Sequence, residues 1–153
     1  MKKYYLLQVL YHKWFVLIAG LKMGGFPLWR LLIHDWSKFL PSEYTVYRRR
    51  FTGRSYTKEE WKKAWLHHIH FNPHHHEHWV LNGKPLPMPD IFIKEMVIDW
   101  MGAGRSYQGI WNIQRWLDKD YRKMILHPET LKKLKPVLES RGFKWPEDEA
   151  IPS

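Results

Sequence analysis

Ten histidines and no cysteine in 153 residues set the chemistry open to this chain. Disulfides, thiolate metal sites and thiol nucleophiles are excluded, so any metal must take nitrogen and oxygen ligands. Four residues stand out: His12, the adjacent pair His34-Asp35, and Asp99. Each lies within or beside an apolar stretch, where an unpaired polar side chain is costly. Shared coordination of a divalent ion (Mn, Fe, Co, Ni, Zn or Mg) would offset that cost, because imidazole nitrogen and carboxylate oxygen are ordinary ligands for such ions. An ion held this way lowers the pKa of a bound water and supplies hydroxide at neutral pH. The expectation is that His12, His34, Asp35 and Asp99 converge on one point.

Seven of the ten histidines fall between His67 and His78. Pro73 re-aims the chain inside that segment, so only a few of the seven can meet. His68 shares a stripe with Trp61 and Trp65 and is expected to face inward, while His74 and His75 follow the turn. These three are candidates for a second metal or for phosphate contacts, with His68 and His75 in catalytic roles beside Asp35. The plainer alternative is a solvated, histidine-rich loop. Lys38, one turn after His34, is the expected phosphate contact. The run Arg48-Arg49-Arg50 and Arg54 read as a solvated basic face. No phosphate-binding GxxxxGK[ST] and no GxSxG nucleophile elbow occur.

These residues need elements to hold them. Apolar residues from Lys3 to Met23 form two helical lines, Leu7/Leu10/Trp14/Leu17/Leu21 and Val9/His12/Val16/Ala19/Met23, which predicts a central helix buried on both sides. A second helix is expected from Leu28 to about Lys38, with Trp29, Leu32, Ile33 and Trp36 inward. Pro41 opens a third, and the capping box from Thr57 to Glu60 a fourth. Asn82-Gly83 and three prolines suggest an exposed loop. The clearest amphipathic helix follows, with Ile93, Met96, Val97, Trp100 and Met101 on one stripe. Gly102, Gly104 and Gly109 loosen the chain before a helix near Trp111–Met124, and a last helix runs from about Pro128 to Gly142. Tryptophans 14, 36, 65, 79, 100 and 111 are expected mostly in the core. No stretch alternates long enough to require a sheet. The reading is all-α: one helical domain over 1–145 and a frayed tail over 146–153.

Twenty-five Lys and Arg against fifteen Asp and Glu give a net charge of +10, which points to an anionic partner. Ten tryptophans argue against disorder. The longest charge-free run near the N-terminus is too short to span a bilayer, so a cytoplasmic protein without a membrane partner is expected.

The order His, His-Asp, Asp on successive helices resembles the HD-domain metal-dependent phosphohydrolases. The words His12-Lys13-Trp14, His34-Asp35-Trp36-Ser37-Lys38-Phe39, Asn72-Pro73-His74-His75, Glu95-Met96-Val97-Ile98-Asp99-Trp100 and Leu126-His127-Pro128-Glu129-Thr130 are similar to those of DUF5662, an uncharacterised family common in bacteria and phages. Its members usually carry an aromatic at the position of His76 and often Tyr at that of His78, which makes those two the weakest ligand candidates. The resemblance implies a helical, HD-like fold and settles no substrate. The expected function is metal-dependent hydrolysis of a nucleotide or other small phosphate ester. The alternatives are a basic nucleic-acid-binding module and a metal-binding accessory protein without turnover.

Overall fold

Helix α1 (Tyr5–Met23) stops where Gly24 and Gly25 turn the chain with φ of 72° and 62°. The computed structural model describes residues 4–146; the expected tail lies, from residue 147 onward, outside the described residues. Next come α2 (Leu28–Ile33), a 3₁₀ turn (Trp36–Phe39), α3 (Pro41–Thr52) and α4 (Lys58–Phe71). A 3₁₀ turn (His76–Trp79) and a small hairpin (β1, Val80–Leu81; β2, Lys84–Pro85) lead to α5 (Asp90–Ala103) and a π-helical turn (Gly104–Gln108). α6 (Gln114–Asp120), a 3₁₀ turn (Tyr121–Lys123) and α7 (Pro128–Glu139) complete a mostly helical fold. The hairpin departs from the expected loop. Asn82 and Gly83 both take positive φ, as a tight two-residue hairpin turn requires, and its strands are too short to show alternation in sequence.

Helices α1 and α5 form the axis of the molecule. They approach so closely at Gly102 that a Cβ there would sit 2.6 Å from Val16 Cγ2 and 2.8 Å from the Val16 backbone nitrogen. Val16 is one turn after His12, and Gly102 is three residues after Asp99, so this contact sets His12 beside Asp99. Gly102 therefore does not loosen the chain; it stays helical and lets two backbones meet. A second close approach, Leu31 against Gly20, seats α2 on α1. Ile93, Met96, Val97 and Ile98 of α5, Leu117 of α6, and Leu134 and Leu138 of α7 complete the core with Val16, Ala19 and Leu31.

Several expected faces are reversed. On α1 the line Tyr5, Val9, His12, Val16, Ala19 is buried, but Leu7, Leu10, Trp14 and Leu21 are exposed. Trp29, Leu32, Ile33 and Trp36 also face out, and the inward residue of α2 is Leu31. Arg30 and His34 must both reach Glu95, which turns the opposite side of this short helix to the surface. Of the six tryptophans expected in the core, 14 and 36 are exposed and 65, 79, 100 and 111 are half-buried. The helix expected over Trp111–Met124 is reduced to α6 and its 3₁₀ extension.

Candidate metal centre

The expected helix through Lys38 ends at Ile33. His34 is extended (φ −48°, ψ 130°), and Asp35 takes the left-handed conformation (φ 55°, ψ 26°). Asp is one of the few residues that tolerates this region, at a cost of roughly 1–3 kcal/mol, and such strain collects at functional sites. Lys13 crosses from α1 and donates to the Leu32 carbonyl at 3.0 Å and to the His34 carbonyl, capping the end of α2. His34 and Asp35 therefore point together because the backbone breaks between two helical segments.

The structure brings the four expected residues together in a buried cluster; one nitrogen or oxygen from each lies within 4.8 Å of the others. Asp99 Oδ1 is 3.0 Å from His12 Nε2 and 3.1 Å from His34 Nε2, and Asp35 Oδ2 is 3.3 Å and 3.6 Å from the same nitrogens. Ligand bonds of about 2.1 Å put adjacent ligands about 3.0 Å apart in an octahedron and about 3.4 Å apart in a tetrahedron. The donor atoms fit that spacing. His12 Nε2, Asp35 Oδ1 and His74 Nε2 are buried without a hydrogen-bond partner among the described residues.

Three of the cluster histidines join them. His68 and His74 are buried and His75 half-buried. His68 Nε2 is 2.9 Å from His75 Nε2 and 3.6 Å from Asp35 Oδ1, and His74 Nε2 is 3.4 Å from Asp35 Oδ1. Asp35 therefore faces His12 and His34 with one oxygen, and His68 and His74 with the other. The remaining four stand apart: His67 pairs with Glu43, His70 is exposed, His76 lies beside Glu77, and His78 donates to the Ile69 carbonyl. Lys38 is held on Asp35 Oδ2. The arginine run stays outside: Arg49 pairs with Glu60, Arg50 lies 4.1 Å over the Trp61 ring, and Arg48 and Arg54 are exposed.

Two carboxylates escaped the sequence reading. Glu95 accepts from His34 Nδ1 at 3.2 Å and is held by Arg30 at 2.6 Å. Glu43 accepts from His68 Nδ1 at 2.8 Å and from His67 Nδ1 at 2.6 Å. Since ionised carboxylates only accept, each fixes the proton on Nδ1 and turns Nε2 toward the cluster. Glu95 was detectable, standing four residues before Asp99 on the same helical face. Glu43 was not, because an acid in the first turn after Pro41 reads as a helix-dipole partner.

Four carboxylates (Asp35, Glu43, Glu95 and Asp99) face two permanent cations, Lys38 and Arg30. Burial alone would strip the charge from His34, but Asp35, Asp99 and Glu95 outweigh it and raise its pKa to about 10. Burial likewise opposes ionisation of Asp35 and Asp99; Lys38 and His34 around the first, and His12 and His34 beside the second, hold both well below the usual range. His74 and His75 are pushed down by burial and neighbouring histidines, which keeps their lone pairs free at neutral pH.

The chain is thus a mostly helical protein built around a buried histidine–carboxylate cluster. The sequence matches DUF5662, described as a family of unknown function, over residues 1–140, and the chain belongs to that family. No curated protein and no solved structure matches it. Among the described residues, no helix is long and apolar enough to cross a membrane.

Proposed function

We propose that this protein is a metal-dependent phosphohydrolase acting on a small phosphate ester such as a nucleotide, with an HD-like arrangement of ligands. One observation carries the reading: donor atoms of His12, His34, Asp35 and Asp99 sit at ligand-to-ligand spacing in a buried site where carboxylates outnumber the permanent cations. A divalent ion there supplies a low-pKa water and polarises a phosphoryl oxygen. Asp35 is placed to serve two ions, the second held by His68 and His75 with His74 adjacent. Glu95 and Glu43 orient His34 and His68, and Lys38 neutralises Asp35 at the edge of the cluster.

The test is metal analysis of protein purified without a histidine tag or nickel column, followed by phosphate release from nucleotides and phosphomonoesters with Mn²⁺. The expected result is about one to two ions per chain and chelator-sensitive turnover, both lost in a His34→Ala/Asp35→Ala double variant. Full turnover in excess chelator would overturn the reading. Bound metal with no turnover on any ester would leave a metal-binding accessory protein.

A further inference from the structure

Beside the cluster lies a group of hydroxyls that the ligand set does not use. Tyr5, at the start of α1, and Tyr47, in the middle of α3, stack with ring centroids 6.5 Å apart. Both hydroxyl oxygens are buried with no hydrogen-bond partner among the described residues. Phenylalanine would pack the same rings without stranding an oxygen, so core packing does not explain either hydroxyl. A third tyrosine, Tyr107 of the π-helical turn, stacks on His12 at 6.0 Å and is half-exposed, at the rim. Tyr47 lies 5.8 Å from the ring of His68, so the three phenols flank both halves of the cluster. Lys38 sits on Asp35, the residue that faces both halves of the cluster. Its ammonium spends one N–H on Asp35 and has two more to give.

We propose that Lys38 and the hydroxyls of Tyr5, Tyr47 and Tyr107 form an oxyanion cradle that holds the non-bridging oxygens of a tetrahedral phosphoryl group against the cluster. The proposal rests on the reading of the cluster as a metal-dependent phosphate-ester site. Phenol hydroxyls are protonated at neutral pH and can therefore donate to an anion. π-Helical turns such as the one carrying Tyr107 concentrate at functional sites. The four donors come from α1, α3 and two short turns, so the cradle exists only in the folded chain.

The experiment is calorimetric titration of the Mn²⁺-loaded protein with inorganic phosphate, and with sulfate as a second tetrahedral anion. Wild type is expected to bind phosphate only when Mn²⁺ is present. Tyr5→Phe and Tyr47→Phe should each weaken phosphate binding about tenfold or more, the usual effect of losing a hydrogen bond to a charged group. Their Mn²⁺ stoichiometry should be unchanged and their melting temperatures equal or higher, because each variant removes a stranded hydroxyl. A merely structural tyrosine would give the opposite pattern: lower melting temperature and unchanged phosphate affinity. Tyr107→Phe, at the half-exposed rim, provides a variant with little risk to folding. Unchanged phosphate affinity in all three variants, or no phosphate binding by Mn²⁺-loaded wild type, overturns the cradle. Tyrosine-dependent phosphate binding without turnover of any ester would retain the cradle and sink hydrolysis. Turnover with indifferent tyrosines would do the reverse.

Discussion

At the scale of single residues, His34 is the titratable switch of the cluster. Its pKa of about 10 in the metal-free protein lies above the ordinary value near 6.5. The resulting stability is fully present below about pH 6.5 and is lost as pH rises through about 10. Asp35 and Asp99 are depressed, so their contribution is present above about pH 4 and is lost in acid. Thermal melts of chelator-treated protein should therefore show a plateau from about pH 4 to 6.5 and a decline toward pH 10, which His34→Asn flattens. An ion taking His34 Nε2 must displace its proton, so metal affinity should rise with pH and binding at pH 8 should release protons, read as buffer-dependent calorimetric heats. Asp99→Asn keeps the shape but removes a ligand charge; activity should fall about 10²- to 10³-fold while the helical circular dichroism is retained. Glu95→Gln and Glu43→Gln act through the histidines they orient. Each should weaken metal affinity about 10- to 100-fold, Glu95→Gln at the site of His12 and His34, and Glu43→Gln at the site of His68 and His75. Equal losses at both sites from either variant would mean that the two halves are one unit.

At the scale of elements, two helices carry most of the geometric precision. The approach of α1 to α5 at Gly102 leaves no room for a methyl group. Gly102→Ala should cost about 1–3 kcal/mol in unfolding free energy through overpacking. It should also weaken metal binding, since parting these helices moves His12 from Asp99. Chemical denaturation and metal titration of the same variant check both halves. The contrast is Trp14→Gln on the exposed side of α1, expected to change stability by no more than about 0.5 kcal/mol. Helix α4, which delivers His68, starts at a complete capping box: Thr57 Oγ1 accepts from Glu60 N at 3.1 Å, and Glu60 accepts from Thr57 N at 2.7 Å. Thr57→Ala should therefore lower stability by about 1 kcal/mol without touching the cluster, seen as a lower melting temperature at unchanged metal stoichiometry.

At the scale of the whole molecule, charge and apolar surface are distributed unevenly. Negative charge concentrates in the interior around the cluster, while the chain as a whole carries +10. A basic exterior around an acid-rich interior draws anions to the surface and cations to the centre, which agrees with the proposed metal site and anionic substrate. Leu7, Leu10 and Trp14 of α1, with Trp29, Leu32 and Trp36 beyond it, leave much apolar surface in water. That distribution follows from the cluster. The face of α1 that carries His12 turns inward with Val16 and Ala19, and α2 turns Leu31 inward just before His34, which leaves the apolar residues of the opposite faces in water.

The members of the cluster were legible in the sequence because they depend on residue type and order: no thiol, histidines and aspartates beside apolar stripes, and one inward histidine on the Trp61/Trp65 stripe. Helical periodicity likewise located α1, α4 and α5, and boundary residues located where α3, α4 and α7 begin. Which face of an amphipathic helix turns inward was decided elsewhere. Apolarity does not pick the buried stripe of α1, since that stripe carries His12 and the exposed one no polar residue; the close approach at Gly102 and the contact of Asp99 with His12 select it. The left-handed Asp35 breaks a run whose periodicity continues past it, because tertiary contacts from Lys13 and His12 hold a conformation that local preference disfavours. Glu43, Tyr5 and Tyr47 gave no signal. An acid in the first turn of a helix and aromatics at core spacing are common for ordinary reasons, and only the folded chain sets them beside a cluster contributed by residues nearly ninety positions apart.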